Sequence, residues 1–321
     1  MERIASTPDR AEAERLTFVL ITPARNEAAY IGKTIEAVTS QTVKPVRWVI
    51  VDDGSTDATP ELVARAAAQH AWIELVRVPH RKERHFAGKV YAFNAGLERV
   101  AHVDCPIIAN LDADVSLEPD HFEFLLARFA EDPKLGVAGT AYTQPNWDSV
   151  ADSFEGEESV AGPLQFFRTT CFREIGGYVP NRLGGIDWIA VTTARMKGWT
   201  TRNFPQRRFR HHRRMGSEGR GPIGTMFFMG RKDYILGSSP LWYMFRVAYR
   251  VVKRPYVVGG LSLLVGYTWA ALQRLEQPAG PDVVQFYRRE QMRKLRRILG
   301  ALVRFQRAEK FYLEHPGHRT D

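Results

Sequence analysis

Asn110-Leu111-Asp112-Ala113-Asp114-Val115 places two carboxylates one residue apart at the carboxyl end of an apolar run that begins at Pro106. An acid-x-acid pair of this kind can chelate a divalent cation, although the same spacing also occurs in surface turns, where it is only solvated. Two further stretches bear on that choice. Ile21-Thr22-Pro23-Ala24-Arg25-Asn26-Glu27 and Trp48-Val49-Ile50-Val51-Asp52-Asp53-Gly54-Ser55-Thr56-Asp57 are also apolar, β-branched runs that break into polar residues at their carboxyl ends. Three strands ending in this way deliver polar groups to one edge of a sheet.

Working outward, periodicity predicts strands over 16–22, 47–51, 73–78 and 106–111, and helices over 29–41, 60–69 and 88–99. Such alternation implies βαβ units, hence an α/β fold with a mostly parallel sheet covered by helices. In open sheets of this type ligands bind beyond the carboxyl ends of the strands, where all three polar stretches fall. With 321 residues, 44% of them hydrophobic, the chain can bury the core of one large or two modest domains. Cys105 and Cys171 give neither a metal-site spacing nor a disulfide framework. Residues 1–15 are charged and read as a flexible amino terminus with no signal peptide, so the catalytic part is expected on the cytoplasmic side. A net charge of +9 favours anionic partners such as nucleotides, lipid head groups or nucleic acid, without choosing among them.

Taken in order, Pro23 to Glu27, Asp52 to Asp57, Gly88-Lys89 with Asn94-Ala95-Gly96, the Asp112/Asp114 pair and Phe172-Arg173-Glu174-Ile175-Gly176-Gly177-Tyr178 resemble the motifs of the family 2 glycosyltransferases. The resemblance runs from about Leu16 to Met215. It implies a GT-A fold, Rossmann-like, with a catalytic domain over 16–235 and a helical region over 236–321, in a non-processive, bacterial-type, membrane-associated member. It further implies a nucleotide-diphosphate sugar donor, contacted by Pro23, Arg25, Asn26, Glu27, Asp52, Asp53, Lys89 and Asp112. Asp52 and Asp53 can accept hydrogen bonds from base and ribose, with Gly54 permitting the tight turn. The alternative for this segment is a capping turn, in which Ser55 or Asp57 starts the helix that follows. Lys89 can neutralise phosphate or stand as a solvated lysine at a helix start. Oxygen ligands suit Mg²⁺ or Mn²⁺, and the resemblance makes Asp114 the direct ligand, with Asp112 reaching ribose or metal.

The family's general base is usually the Asp of a Glu-Asp pair at a helix start. The aligned stretch here reads Gly184-Gly185-Ile186-Asp187-Trp188, so the Glu is lost and Asp187 remains. Asp187 is either the base of an inverting transfer or only the cap of a helix over 188–197. The run Arg207-Arg208-Phe209-Arg210-His211-His212-Arg213-Arg214 is dense in cations, and its crowding implies contact with a diphosphate or lipid head group. Either His211 or His212 could complete the metal's coordination, or each could be a partly buried histidine in a basic loop. The Gln-x-x-Arg-Trp motif of processive members is not matched by Gln206-Arg207-Arg208-Phe209-Arg210.

Tyr256 to Leu272 carries no charge but is barely long enough to cross a bilayer. With Trp242 to Lys253 and Phe286 to Phe311 as amphipathic helices, it is expected to lie on the cytoplasmic face of the inner membrane; a buried helical subdomain is the alternative. The acceptor implied is a lipid-linked molecule or a glycan, in surface polysaccharide or glycolipid assembly. Three other readings compete. A nucleotidylyltransferase would open with a glycine-rich loop that Pro23 to Asn26 lacks. Binding to nucleic acid leaves the carboxylate motifs unexplained. A catalytically inactive scaffold or nucleotide-binding relative would explain the loss of Glu at Ile186.

Overall fold

The computed structural model describes residues 16–79, 86–145, 147–152, 156–213, 221–251 and 255–303. They fall into two compact units. The first takes in the chain to 153, with 159–182 and 186–213; the second takes in 154–158, 183–185 and the chain from 214 onward.

The first unit holds one mixed sheet. Its strands are β1 (Phe18–Ala24), β2 (Arg47–Asp52), β3 (Ile73–Arg77), β4 (Ile107–Leu111), β5 (Val115–Ser116), β6 (Leu135–Gln144), β7 (Trp147–Asp148), β8 (Leu164–Arg168) and β9 (Thr200–His211). Their order is β3-β2-β1-β4-β8-β6-β9-β5, with β7 beside β6. The β3-β2-β1-β4 half is parallel, as are β6 and β9, while β8 runs antiparallel to both of its neighbours. The chain winds from β1 outward to β3, then returns to place β4 on the other side of β1. That reversal opens a crevice at the carboxyl ends of β1 and β4, where Ile21 pairs with Asn110.

Alternation along the central strands builds a core on each face. Phe18, Leu20, Trp48 and Ile50 pack with Phe122 and Phe166 on one side. Val19, Ile21, Val49 and Val51 pack with Val90, Phe93 and Phe172 on the other. The helix Ala87–Arg99 is drawn close to the sheet by Gly96, where a Cβ would lie 2.6 Å from Ile21 Cγ2.

The expected elements over 16–111 are all present, with shifted ends. β1 runs on to Ala24 because it stays in register with β2 as far as Asp52, which takes Pro23 into the strand. The second unit holds helices Pro222–Ile235, Pro240–Val251, Val258–Leu272 and Pro281–Val303, and residues 156–158 and 183–185 are grouped with it. Of the stretch 256–272, Val258–Leu272 forms one helix. Residues 1–15, Lys253, Arg214 and the end of the expected 286–311 helix beyond 303 lie outside the described residues.

Candidate active site and metal centre

The loops after β1 and β2 are tied to each other before they reach any ligand. Asp53 N donates to Ala24 O at 2.8 Å, Asn26 N to Ser55 Oγ at 2.9 Å, and Thr56 N to Asn26 Oδ1 at 2.8 Å. Asn26 takes φ +56°, a left-handed conformation that asparagine tolerates. Asp57 accepts from Thr59 N and Ala28 N, each at 3.0 Å. Burial would raise its carboxyl, but bonds from the Thr59 hydroxyl and these amides outweigh that and hold it below the ordinary range. The capping role therefore falls to Asp57, and Ser55 braces the first loop.

Asp52 and Asp53 remain for other work. Both are buried, and Asp52 Oδ1 accepts from Ser55 N at 3.0 Å. Asp52 Oδ2 has no hydrogen bond among the described residues; Arg77 Nε stands 3.5 Å from it. A buried carboxylate oxygen in that state is costly unless a donor arrives. Arg25 lies 3.7 Å from Asp53. Across the crevice, a Cβ on Gly88 would come within 3.2 Å of Asp53 Oδ2, so the helix carrying Lys89 starts against this loop.

Lys89 forms a close ion pair with Asp112, which removes its reading as a purely solvated lysine. Asp112, Asp114 and His211 each offer one ligand atom, and the three atoms lie within 4.8 Å of one another. Asp114 is brought there by the turn between β4 and β5, and His211 by β9, whose residue 211 pairs with Val115. His211 Nδ1 donates to Arg213 O, which leaves Nε2 facing Asp114 Oδ1 at 3.4 Å. Nε2 is placed either to ligate a cation shared with Asp114 or to pair with that carboxylate directly. Two carboxylates and an imidazole in this arrangement fit a hard divalent cation. Burial raises the Asp114 carboxyl above its ordinary value, against the opposing charge of His211, with Asp112 raising it further.

His212 is differently engaged. Its Nε2 lies 2.8 Å from Ser116 Oγ, its ring stacks on Tyr30, and it falls outside the three-residue cluster. Glu27 pairs with Arg213 at 2.7 Å, and Arg213 also donates to Asn26 O at 3.1 Å and stands 4.0 Å from Asp114. The first loop is thereby fastened to the metal cluster by an arginine that sequence reasoning placed in the basic run without a specific role.

The basic run is mostly strand. Phe209 and His211 point inward while Arg208 and Arg210 face out, a period-2 pattern readable in the sequence. Its charge is offset by the chain's own carboxylates: Arg207 on Asp120 at 2.5 Å, Arg208 on Asp148 at 3.4 Å, and Arg213 on Glu27. The expectation that a bound anion must relieve this crowding is corrected accordingly.

The helix expected from 188 begins at Ile186, so Asp187 sits in its first turn. Asp187 Oδ2 accepts from Gly162 N at 3.1 Å. The same short segment returns to the acidic pair: Asp112 N donates to Pro163 O at 2.9 Å and Asn110 Nδ2 to Gly162 O at 2.7 Å. A side chain at Gly162 would displace Asp187, because a Cβ would lie 2.9 Å from Asp187 Oδ2. Tyr178 reports the neighbourhood. Burial, followed by the charges of Asp187 and Asp112, pushes its hydroxyl well above the ordinary range, and that hydroxyl donates to Gln165 Oε1 at 2.6 Å. Gly162 and Gln165 were missed as site-builders, and Tyr178 was read only as the end of the Phe172–Tyr178 motif, because nothing local in the sequence marks contacts between residues so far apart.

Residues 19–157 match the sequence profile of Glycosyl transferase family 2. Over 126 residues the chain is 31% identical to chondroitin synthase of Pasteurella multocida, a match covering 39% of this chain and 12% of that protein. Among solved structures, the chain is similar to the mannosyltransferase PcManGT of Pyrobaculum calidifontis, in complex with GDP-Man and Mn²⁺, with TM-score 0.55 and 20% identity over 95% of this chain and 85% of that one. It is also similar to TarS 1-349 of S. aureus with UDP-GlcNAc, with TM-score 0.56 and 16% identity over 92% and 93% of the two chains. The fold and the crevice define a GT-A domain. The likeness to Glycosyl transferase family 2 lies in residues 19–157.

Proposed function

We propose that this chain transfers a sugar from a nucleotide-diphosphate donor to a lipid-linked or glycan acceptor, with inversion, in surface polysaccharide or glycolipid assembly at the cytoplasmic face of a membrane. The observation that carries the proposal is the segment Gly162-Pro163: the Gly162 amide holds Asp187, while the Gly162 and Pro163 carbonyls accept from Asn110 Nδ2 and from the backbone amide of Asp112. A candidate base and the strand end that carries the candidate metal centre are thus braced against one two-residue segment. Asp112, Asp114 and His211 would hold Mg²⁺ or Mn²⁺, which neutralises charge growing on the leaving diphosphate. Asp52 and Asp53 accept hydrogen bonds from the nucleoside, and Asp52 Oδ2 has the unmet capacity to do so. Lys89 and Arg213 supply positive charge beside the carboxylates. Asp187 takes the proton from the acceptor hydroxyl as that oxygen bonds to the anomeric carbon and the diphosphate departs from the opposite face. A single displacement inverts the anomeric configuration. No nucleic acid is involved in this account.

Release of nucleoside diphosphate should be followed for UDP-, GDP- and dTDP-sugars with Mn²⁺. Asp187→Asn should lose roughly 10²–10⁴-fold in turnover, the range for a positioned base, while donor binding persists. Unchanged turnover in that variant removes Asp187 from the mechanism. No turnover by the native chain with any donor returns the inactive relative as the better reading.

A further inference from the structure

Helix Val258–Leu272 contains no charged side chain, and its outward face is aliphatic and aromatic. Val258, Leu261, Val265, Trp269 and Leu272 recur at three- and four-residue spacing and are 48%, 53%, 53%, 41% and 82% exposed. Gly259, Gly260, Leu263, Gly266 and Ala270 form the opposite, buried face. A surface helix of a globular unit ordinarily turns polar residues to water. Here the inward face is already committed. A Cβ on Gly230 would fall 2.1 Å from Leu263 O, and one on Gly266 would fall 2.1 Å from Phe227 O, so helices 222–235 and 258–272 meet backbone to backbone.

Details along the stripe suit a lipid interface. Thr268 is exposed, but its hydroxyl donates to Leu264 O at 2.9 Å and leaves no unmet donor. The Arg231 guanidinium lies 4.9 Å from the Trp269 ring, which pairs an aromatic with a cation as interfacial anchors do. The neighbouring helix adds Leu241 and Met244, 62% and 51% exposed. In the same unit, helix Pro281–Val303 exposes Arg289, Arg293, Arg296 and Arg297. Among the described residues no helix is long and apolar enough to cross a membrane. Fifteen helical residues reach about 22 Å against a hydrocarbon core of about 30 Å.

We propose that the stripe Val258/Leu261/Val265/Trp269/Leu272 is a lipid-docking face that lies flat in the head-group boundary of an anionic bilayer. Charge complementarity selects this occupant: the exposed arginines of the unit meet lipid phosphates while the stripe enters the acyl boundary. The inference rests on the membrane setting proposed above and deepens it by naming the face.

The full chain should be floated with vesicles of phosphatidylcholine alone and with phosphatidylglycerol added. Native protein is expected to partition onto the anionic vesicles, and Leu261→Gln/Leu272→Gln to bind them at least roughly tenfold more weakly with unchanged melting temperature. Brominated acyl chains should quench native fluorescence more than that of Trp269→Phe. Equal partitioning of native and double variant overturns the proposal. So does a native chain that dimerises without lipid and becomes monomeric in the double variant, since the stripe then joins two copies. Donor binding, read separately by thermal shift with Mn²⁺, keeps this outcome apart from failure of the transferase reading.

Discussion

The first unit buries polar groups at the carboxyl edge of its sheet, with Asp52, Asp114 and His211 only 1%, 6% and 4% exposed, whereas the second turns Leu261, Val265 and Leu272 outward at 53%, 53% and 82%. Both arrangements invert the usual partition between core and surface. In the first, every buried carboxylate of the crevice has a cation or an amide near it, yet Asp52 Oδ2 has no hydrogen bond among the described residues and His211 Nε2 faces Asp114 Oδ1 at 3.4 Å. In the second, glycine-mediated contacts seal the inner face and leave an apolar outer one. Each inversion marks a place that a further component would complete: a cation with a donor in one unit, a lipid surface in the other.

The comparison can be broken from either side. The largest effect is expected for Asp114→Ala, which removes a ligand and should cost several kcal/mol of transition-state stabilisation, roughly a thousandfold or more in turnover. If turnover with donor and Mn²⁺ falls less than tenfold, the polar cluster is not the metal centre. Next comes Gly230→Val. Its Cβ would drive into Leu263 O, and separating the two helices should cost about 3 kcal/mol, read as a lower denaturation midpoint. Retained stability would mean that the inner face has slack and that the outward stripe is not forced.

A smaller effect sharpens the first unit's side. His121 is fully buried beneath the sheet, its Nε2 lies 2.8 Å from Thr140 Oγ1, and burial lowers it to about 4. The unfolded chain therefore binds the extra proton first, so stability falls as pH drops below about 6.5 and continues falling to about 4. Between pH 8 and pH 5 this group alone should remove about 2 kcal/mol, a loss that His121→Gln should not show. Parallel pH profiles for native protein and variant would contradict it.

Much of the first unit was legible in the sequence because its central strands are buried on both faces and end abruptly in acids. Apolar runs at 18–24, 47–52 and 107–111 need no partner to be recognised. The acidic pair and Asp52 and Asp53 follow from their positions at those ends, whereas His211 was one of two histidines left open in the basic run. What was not legible depends on contacts distant in the chain. Arg213 looked like one arginine among many until the fold set it between Glu27 and Asp114. Asp187 read as either a base or a cap, and its bond to Gly162, 25 residues away, was not legible in the sequence. β9 was obscured by arginines that read as a loop, although Phe209 and His211 alternate with Arg208 and Arg210.

The central claim is that Asp112, Asp114 and His211 hold a cation required for donor binding. It is tested most directly by thermal stabilisation of the native chain, Asp114→Ala and His211→Ala with UDP-, GDP- and dTDP-sugars, with and without Mn²⁺. A ligand at a hundred times its Kd stabilises the folded state by about 2.7 kcal/mol, which a melting curve resolves. The account predicts that one class of donor raises the native melting temperature only with Mn²⁺, that Asp114→Ala abolishes the rise, and that His211→Ala weakens it. Equal stabilisation of all three proteins, or stabilisation indifferent to Mn²⁺, would contradict it.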